Sequence, residues 1–283
     1  MILVEEKNMR RPKATIFGGK GFIGSHLAAR LHSIGWECHV PDRRETFNSR
    51  ETMGHVFYCA GLTADYIHRP FDTVEAHVTL LSKILQLERF ESLVYLSSTR
   101  LYDSQSGEVG TEELSLSLNP TNPRHIYDLS KALGESLCFV AGRKRARVAR
   151  LSCVFNDHTD KEGFLPELLR QIIECRSSSL EVDSSPAFSR DYIHLQDVLD
   201  ALIMIAVKGK NCIYNVASGE NIRNDDLFTA LSEASGHRII PLRNDISAPL
   251  STVSIQKIQE EFGWRPSSVL KKVFSIIKEN KEC

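Results

Sequence analysis

Short apolar runs alternate with longer amphipathic stretches through the first half of the chain. Ala14–Phe17 is an apolar run closed by glycines, and a helical pattern from Ile23 to Ile34 follows, ended by Gly35. Glu37–Val40, His55–Cys59, Leu93–Leu96 and Arg147–Leu151 are further runs of β-forming residues. Between them, Thr73–Phe90 and Tyr127–Arg143 are long and periodic enough for helices. This alternation predicts an α/β fold, a doubly wound parallel sheet with helices on both faces. After about Val154 the rhythm changes. Pro, Ser and Asp gather around Ser177–Pro186, and helical segments at Asp197–Val207, Asn224–Ser235 and Ser268–Glu279 surround short strands. The pattern predicts a first domain over 1–154 and a smaller, interleaved C-terminal α/β lobe over 155–283. A site is expected in the cleft between them, at the carboxyl ends of the strands.

Composition narrows the function classes. The 283 residues are 42% hydrophobic and 25% charged, with a formal net charge of −1. A nucleic-acid partner would call for a basic excess, which is absent. The one basic run, Arg143-Lys144-Arg145-Ala146-Arg147, precedes an apolar segment and reads as a solvated loop. No apolar stretch reaches membrane-spanning length, and Met1–Lys13 lacks the apolar core of a signal peptide. The seven cysteines form no CxxC pair, so a reduced, cytoplasmic compartment and no metal site are expected.

Gly18-Gly19-Lys20-Gly21-Phe22-Ile23-Gly24 places glycines at i, i+3 and i+6, directly after a predicted strand and opening a predicted helix. In that context Gly18 permits a tight turn, Gly21 lets the backbone approach a pyrophosphate, and Gly24 lets helix pack on strand. The helix N-terminus adds unpaired N–H groups and a positive dipole end. A Rossmann-type dinucleotide site follows, lined by Gly18, Gly21, Phe22, Ile23 and Gly24. Asp42, at the end of the second strand, can accept hydrogen bonds from an adenine ribose, which favours NAD. Arg43 and Arg44 beside it could instead pair with a 2′-phosphate, so NADP stays possible.

Tyr127 and Lys131 stand four residues apart on one helix face. A free tyrosine titrates near pH ~10, and a neighbouring ammonium together with an oxidised nicotinamide ring is expected to bring Tyr127 into range as an acid/base. Ser98, at the end of the Leu93–Leu96 strand, is placed to hydrogen-bond a reacting carbonyl or alkoxide oxygen.

The segments FGGKGFIGSHL, YCAGL, YLSSTRLY, YDLSK, RDYIHLQD, YNVASGE and GWRPSSVL resemble, in order, the extended short-chain dehydrogenase/reductases of the epimerase/dehydratase type that modify nucleotide sugars. The likeness runs from about Ala14 to Ile277. It implies that Ser98 rather than Ser97 is catalytic with Tyr127 and Lys131, and that Ala60 and Gly61 line the cofactor. It implies that Arg190 contacts a substrate diphosphate, with Thr99 and Arg100 also at the substrate. A homodimer formed through Thr73–Phe90 and Tyr127–Arg143 is a further implication.

Departures from the family pattern also inform. The 4,6-dehydratases carry an Asp-Glu pair where this chain has Thr99-Arg100, which argues against dehydration. His77 replaces a usual Asn, either to tune the site or as a structural helix-face histidine. Cys153 replaces a substrate-binding Asn, and no activating partner for it as a nucleophile is visible. Only Arg43–His55 joins the second strand to the next, so the third strand of the fold, with its adenine-contacting Asp, is expected to be missing. The sequence therefore predicts an NAD(P)-dependent epimerase or reductase acting on a nucleotide sugar or a similar hydroxyl or ketone substrate. The alternative is a catalytically silent dinucleotide-binding protein of the same fold.

Overall fold

Consecutive apolar residues on the central strands divide between two faces, which explains why the sequence marks these strands as runs and not as alternations. In a computed structural model, which describes residues 11–42, 45, 52–105, 107–245 and 250–281, β1 (Lys13–Phe17) leads into α1 (Phe22–Ser33), β2 (Glu37–His39) and β3 (His55–Tyr58). A helical stretch in three parts follows: α2 (Pro70–Val74), a π-helical turn (Glu75–Thr79) and α3 (Leu80–Leu87). Then come β4 (Ser92–Ser98), a 3-10 turn (Thr99–Tyr102), α4 (His125–Ala141) and β5 (Ala146–Leu151).

The second half contains β6 (Cys153–Phe155), α5 (Phe164–Glu174), β7 (Ser179–Val182), β8 (Ser189–Arg190), β9 (Tyr192–His194), α6 (Leu195–Lys208) and β10 (Ile213–Val216). It closes with β11 (Ile222–Arg223), α7 (Asn224–Ser235), β12 (Arg238–Pro241), α8 (Gln256–Phe262) and α9 (Val269–Lys281). The main sheet has the order β10-β5-β4-β3-β1-β2, every pair parallel. Strand order reverses beside β1, and a crevice opens there at the carboxyl ends of β1 and β3. Among the described residues β2 is the outer strand on that side, and most of the Arg43–His55 connection lies outside the described residues.

Ile16, Phe57, Val94, Leu96 and Ala149 face α1 and α6 in one core cluster. Their neighbours Phe17, Val56, Tyr58, Leu93, Tyr95 and Val148 face α3 and α4 in another. A separate cluster holds the smaller lobe, where Leu165, Leu168, Leu169 and Ile172 of α5 meet Leu227 and Leu231 of α7 and Val273 and Ile277 of α9. The lobes interleave, because α6 and β10 return to the first core after the chain has entered the second. No helix among the described residues is long and apolar enough to cross a membrane.

Two local expectations need correction. The basic run is not simply solvated: Arg145 lies over the Phe90 ring at 4.8 Å and donates to the Phe90 carbonyl at 2.6 Å, while Arg147 already belongs to β5. The turn itself is tight, with Arg143 and Lys144 at positive φ. The helix expected over Thr73–Phe90 begins at Pro70 and is interrupted by the π turn. That turn loosens the regular i→i−4 pattern, and two buried tyrosines donate to its carbonyls: Tyr58 to Ala76 at 2.6 Å and Tyr95 to His77 at 3.2 Å.

Candidate active site

The glycine loop sits at the end of β1 against the loop that leaves β3. Gly18 has φ +76°, and a Cβ there would fall 2.6 Å from the Ala60 nitrogen, so no side chain fits between the two loops. The Gly21 N–H donates back to the Gly18 carbonyl at 2.9 Å, which closes the turn. Helix α1 then starts from Gly21 with no side-chain cap and no acidic residue in its first turn. An uncapped helix start beside a glycine-rich loop suits a diphosphate. Asp42 is ion-paired with Lys20 of the same loop, and the Lys20 hydrogen bond and charge hold its carboxyl below the ordinary range. Asp42 is thus an ionised acceptor at neutral pH, as a ribose diol requires. Arg43 and Arg44 lie outside the described residues.

Below this cradle the catalytic candidates converge. The Ser98 hydroxyl lies beside Tyr127, where it favours the ionised form of the phenol. The Ser98 oxygen accepts from the Arg100 N–H at 3.2 Å, capping the 3-10 turn and fixing the serine at the strand end. Ser97 is buried, and its hydroxyl has no partner. Lys131 lies one turn along α4 from Tyr127, and its amine donates to the Leu96 carbonyl at 2.8 Å. A Cβ on Gly61 would come within 3.4 Å of that amine and 3.0 Å of His77 Nε2, so the Ala60-Gly61 loop crosses directly over both.

His77 is fully buried in the π turn, its ring edge-on to Tyr127 at 5.3 Å. Its Nε2 accepts from the Leu62 N–H at 3.2 Å, which leaves Nδ1 as the donor to Ser130 at 2.8 Å. Ser130 in turn donates to the Tyr127 carbonyl at 2.8 Å. Burial, reinforced by Lys131, pushes His77 down to about 2. It is therefore a neutral bridge between the β3 loop and the Tyr127 helix, with both ring nitrogens committed.

Arg190 stands at a separate cavity of about 380 Å³ in the smaller lobe, lined also by Cys153, Phe164, Phe188, Tyr192 and Arg243. Its guanidinium lies 5.4 Å from the Phe188 ring, and its charge acts on the Cys153 thiol. Asp191 fixes the segment by accepting from the N–H groups of Ser218 at 2.8 Å and Gly219 at 2.9 Å. Cys153 thus has a cationic neighbour that the sequence did not reveal, yet burial pushes its thiol up, which argues against a nucleophile. Thr99 donates to the Leu151 carbonyl at 3.3 Å. Arg100 commits Nη2 to the Tyr66 hydroxyl and the Arg124 carbonyl, while its buried Nε has no hydrogen-bond partner. Asp103 pairs with Arg124 at 3.3 Å and lies within the influence of Arg190 and Arg100.

The sequence model of the NAD dependent epimerase/dehydratase family matches residues 14–217. The chain belongs to that family. Among relatives, it is 23% identical over 256 residues to UDP-glucuronic acid decarboxylase 1 of Danio rerio, an alignment covering 79% of this chain and 59% of that protein. The chain thus spans about three-fifths of that relative's length. It is 25% identical over 288 residues to GDP-6-deoxy-D-mannose reductase of Pseudomonas aeruginosa, covering 90% of this chain and 92% of the relative. Its fold is similar to the structure of RMD from Pseudomonas aeruginosa complexed with NADPH, with a TM-score of 0.75, 24% identity and coverage of 95% and 99% of the two chains.

Against the usual reading of an epimerase/dehydratase family site, the charges here are arranged differently. Lys131 lies 5.9 Å from the Tyr127 ring and closer to the ring of Tyr95, at 5.1 Å. Burial raises Tyr127 to about 12, while the neighbouring Ser98 hydroxyl and the Arg100 charge act in the opposite direction. Lys131 itself is pushed by burial down to about 7, with Glu135 and Cys59 opposing.

The Lys131 shift has a stability consequence. Its value in the folded protein lies below the ordinary 10.5, so between about pH 7 and 10.5 the unfolded chain holds more protons at this position. Stability on this account rises with pH across that window, and the penalty is complete and constant below it. Lys131→Met should therefore raise the melting temperature at pH 7 by on the order of a few degrees. It should also flatten the increase between pH 7 and 10. Thermal scans at several pH values check this, and a variant melting lower than the parent throughout contradicts it.

Three residues near Tyr127 escaped the sequence reading. Tyr66 sits in an irregular loop with no motif, Asp128 reads as a spacer within YDLSK, and Asp103 follows the 3-10 turn without periodicity. Only the contacts across the fold bring them together.

Proposed function

We propose that this chain is an NAD(P)-dependent epimerase or reductase acting on a nucleotide sugar, with Tyr127 as its acid/base. The observation that carries the reading is that Ser98 acts on Tyr127 at the end of β4, while Gly61 packs over Lys131 and the neighbouring Ala60 packs on the uncapped glycine loop. Gly18, Gly21, Phe22, Ile23 and Gly24 would hold a dinucleotide diphosphate, Asp42 its adenine ribose, and Ala60 and Gly61 its nicotinamide half, where Lys131 reaches the ribose. A bound nicotinamide supplies the hydride donor or acceptor. Tyr127 takes the hydroxyl proton when the substrate is oxidised and returns one when a ketone is reduced, with Ser98 holding the same oxygen. Thr99 and Arg100 flank the sugar, and Arg190 takes the substrate diphosphate, for which a planar guanidinium is well suited.

The relatives' names, a UDP-sugar decarboxylase and a GDP-sugar reductase, support a nucleotide sugar as the substrate class. Thr99-Arg100 offers no carboxylate for eliminating water, which favours epimerisation or reduction. Oligomerisation fits the same reading. Phe71 of α2 is 89% exposed and Val140 of α4 is 86% exposed, with Leu133 and Phe139 of α4 also exposed. Helices α2 and α4 lie in contact, so these side chains suit pairing with a second copy of the chain.

Incubating the protein with NAD or NADP and a panel of UDP- and GDP-hexoses, and with the reduced cofactors and keto-sugars, tests the reading. Inversion at one carbon without net change at 340 nm, with cofactor retained through purification, identifies an epimerase. Stoichiometric absorbance change identifies a reductase that exchanges its cofactor. Tight dinucleotide binding with no turnover on any nucleotide sugar identifies a silent binding protein and overturns the proposal.

A further inference from the structure

The cation nearest the face of Tyr127 is not the lysine of its own helix. The Arg100 guanidinium carbon lies 4.9 Å from the Tyr127 ring centroid and 4.7 Å from that of Tyr66, while the two tyrosine rings are 5.3 Å apart. The guanidinium is held in place on several sides. Arg100 Nη2 donates to the Tyr66 hydroxyl at 2.5 Å and to the Arg124 carbonyl at 3.4 Å, and Nε faces the Asp128 carboxylate at 3.4 Å. The site is largely buried, with the Arg100 side chain 19% exposed and that of Asp128 7%. A guanidinium stays charged at any working pH, and its attraction to a tyrosine ring grows when both are withdrawn from water.

Resting on the reading of Tyr127 as acid/base, we propose that Arg100, clamped by Tyr66 and Asp128, is the positioning residue whose charge stabilises the Tyr127 phenolate, a task usually given to the lysine four residues on. The other groups facing Tyr127 do not supply that charge. Ser98, at the end of β4, carries no charge, His77 in the π turn is held neutral by burial, and Tyr66 in the β3–α2 loop offers its hydroxyl oxygen to Arg100. Asp128, on the tyrosine's own helix, opposes the phenolate. Lys131, on the same helix, lies farther away and is itself drawn toward neutrality by burial. Asp128 thus holds Arg100 in place and also moderates its charge. Its own carboxyl is pushed up by burial against the pull of Arg100, His125 and Arg124.

The test follows the ¹³C signal of the Tyr127 ring carbon bearing the hydroxyl, assigned with Tyr127→Phe, in protein saturated with oxidised dinucleotide from pH 5 to 10. The expected result is a midpoint below pH 10 in the parent, at least one unit higher in Arg100→Met (about a tenfold change in the ionisation constant), and returned toward the parent in Arg100→Lys. Equal midpoints in the parent and Arg100→Met overturn the Arg100 role and leave the reading of Tyr127 intact. No ionisation in any of these proteins overturns the reading of Tyr127 and this inference with it. Should Arg100→Met not fold, Arg100→Gln, which keeps a polar side chain of similar reach and removes the charge, carries the test. Its midpoint should also lie at least one unit above the parent's, and an unchanged midpoint overturns the inference.

Discussion

Replacing Tyr127 by Phe should lower turnover by ~10²–10⁴-fold, the range that a positioned general acid/base contributes. Phenylalanine keeps the ring that packs between Tyr66, His77 and Arg100 and removes only the hydroxyl. Tyr127 is buried, so its ring fills space that a smaller residue would leave open. The neighbouring Ser98 keeps its hydrogen bond from the Arg100 N–H, so the variant should fold. Dinucleotide affinity, measured by calorimetry, should stay within about twofold, because no cradle contact is lost. A loss confined to substrate affinity, with the maximal rate intact, would instead mean that Tyr127 only binds.

Gly24→Ala should be the most damaging small change in the cofactor cradle. A Cβ at Gly24 would fall 2.8 Å from the Gly19 Cα and nearer still to the Gly18 carbonyl oxygen. Both are backbone atoms of the loop that would hold the diphosphate, so neither can move aside cheaply. Accommodation requires α1 to shift away from the end of β1, costing about 1–3 kcal/mol of overpacking strain. The same shift spoils the alignment of the first-turn N–H groups, and dinucleotide affinity should fall on the order of tenfold or more. Calorimetric titration with NAD and NADP, alongside a thermal scan, checks both effects. A variant that binds as well as the parent would show that the loop does not hold the cofactor.

What was legible in the sequence is what depends on neighbours along the chain. The β1–glycine–α1 unit is local, and its turn geometry requires Gly18 whatever surrounds it. The sheet strands were legible because residues such as Val56, Phe57 and Tyr58 bury both faces, leaving an unbroken apolar run. Tyr127 and Lys131 share a helix face, so their proximity followed from spacing alone. Their electrostatics did not. Whether Lys131 or Arg100 carries the charge beside Tyr127 depends on the direction taken by side chains from two different elements. Lys131 is drawn off by the Leu96 carbonyl, and Arg100 is drawn in by Tyr66 and Asp128. The role of His77 was hidden for the same reason. Spacing places it on a helix, but only a π turn and a hydrogen bond from the β3 loop bring it against Tyr127. Arg190 was legible as a cation in a motif, whereas its contact with Cys153 depends on β6 and β9 lying side by side.

The most direct measurement of the central claim is the absorbance at 340 nm of the parent and of Tyr127→Phe, each mixed in a single turnover with dinucleotide and the nucleotide sugar that turns over fastest. The account predicts a rapid change in nicotinamide absorbance in the parent, transient for an epimerase and lasting for a reductase. In Tyr127→Phe, at equal dinucleotide occupancy, the change should be slower by at least about two orders of magnitude. Equal rates in the two proteins would contradict it.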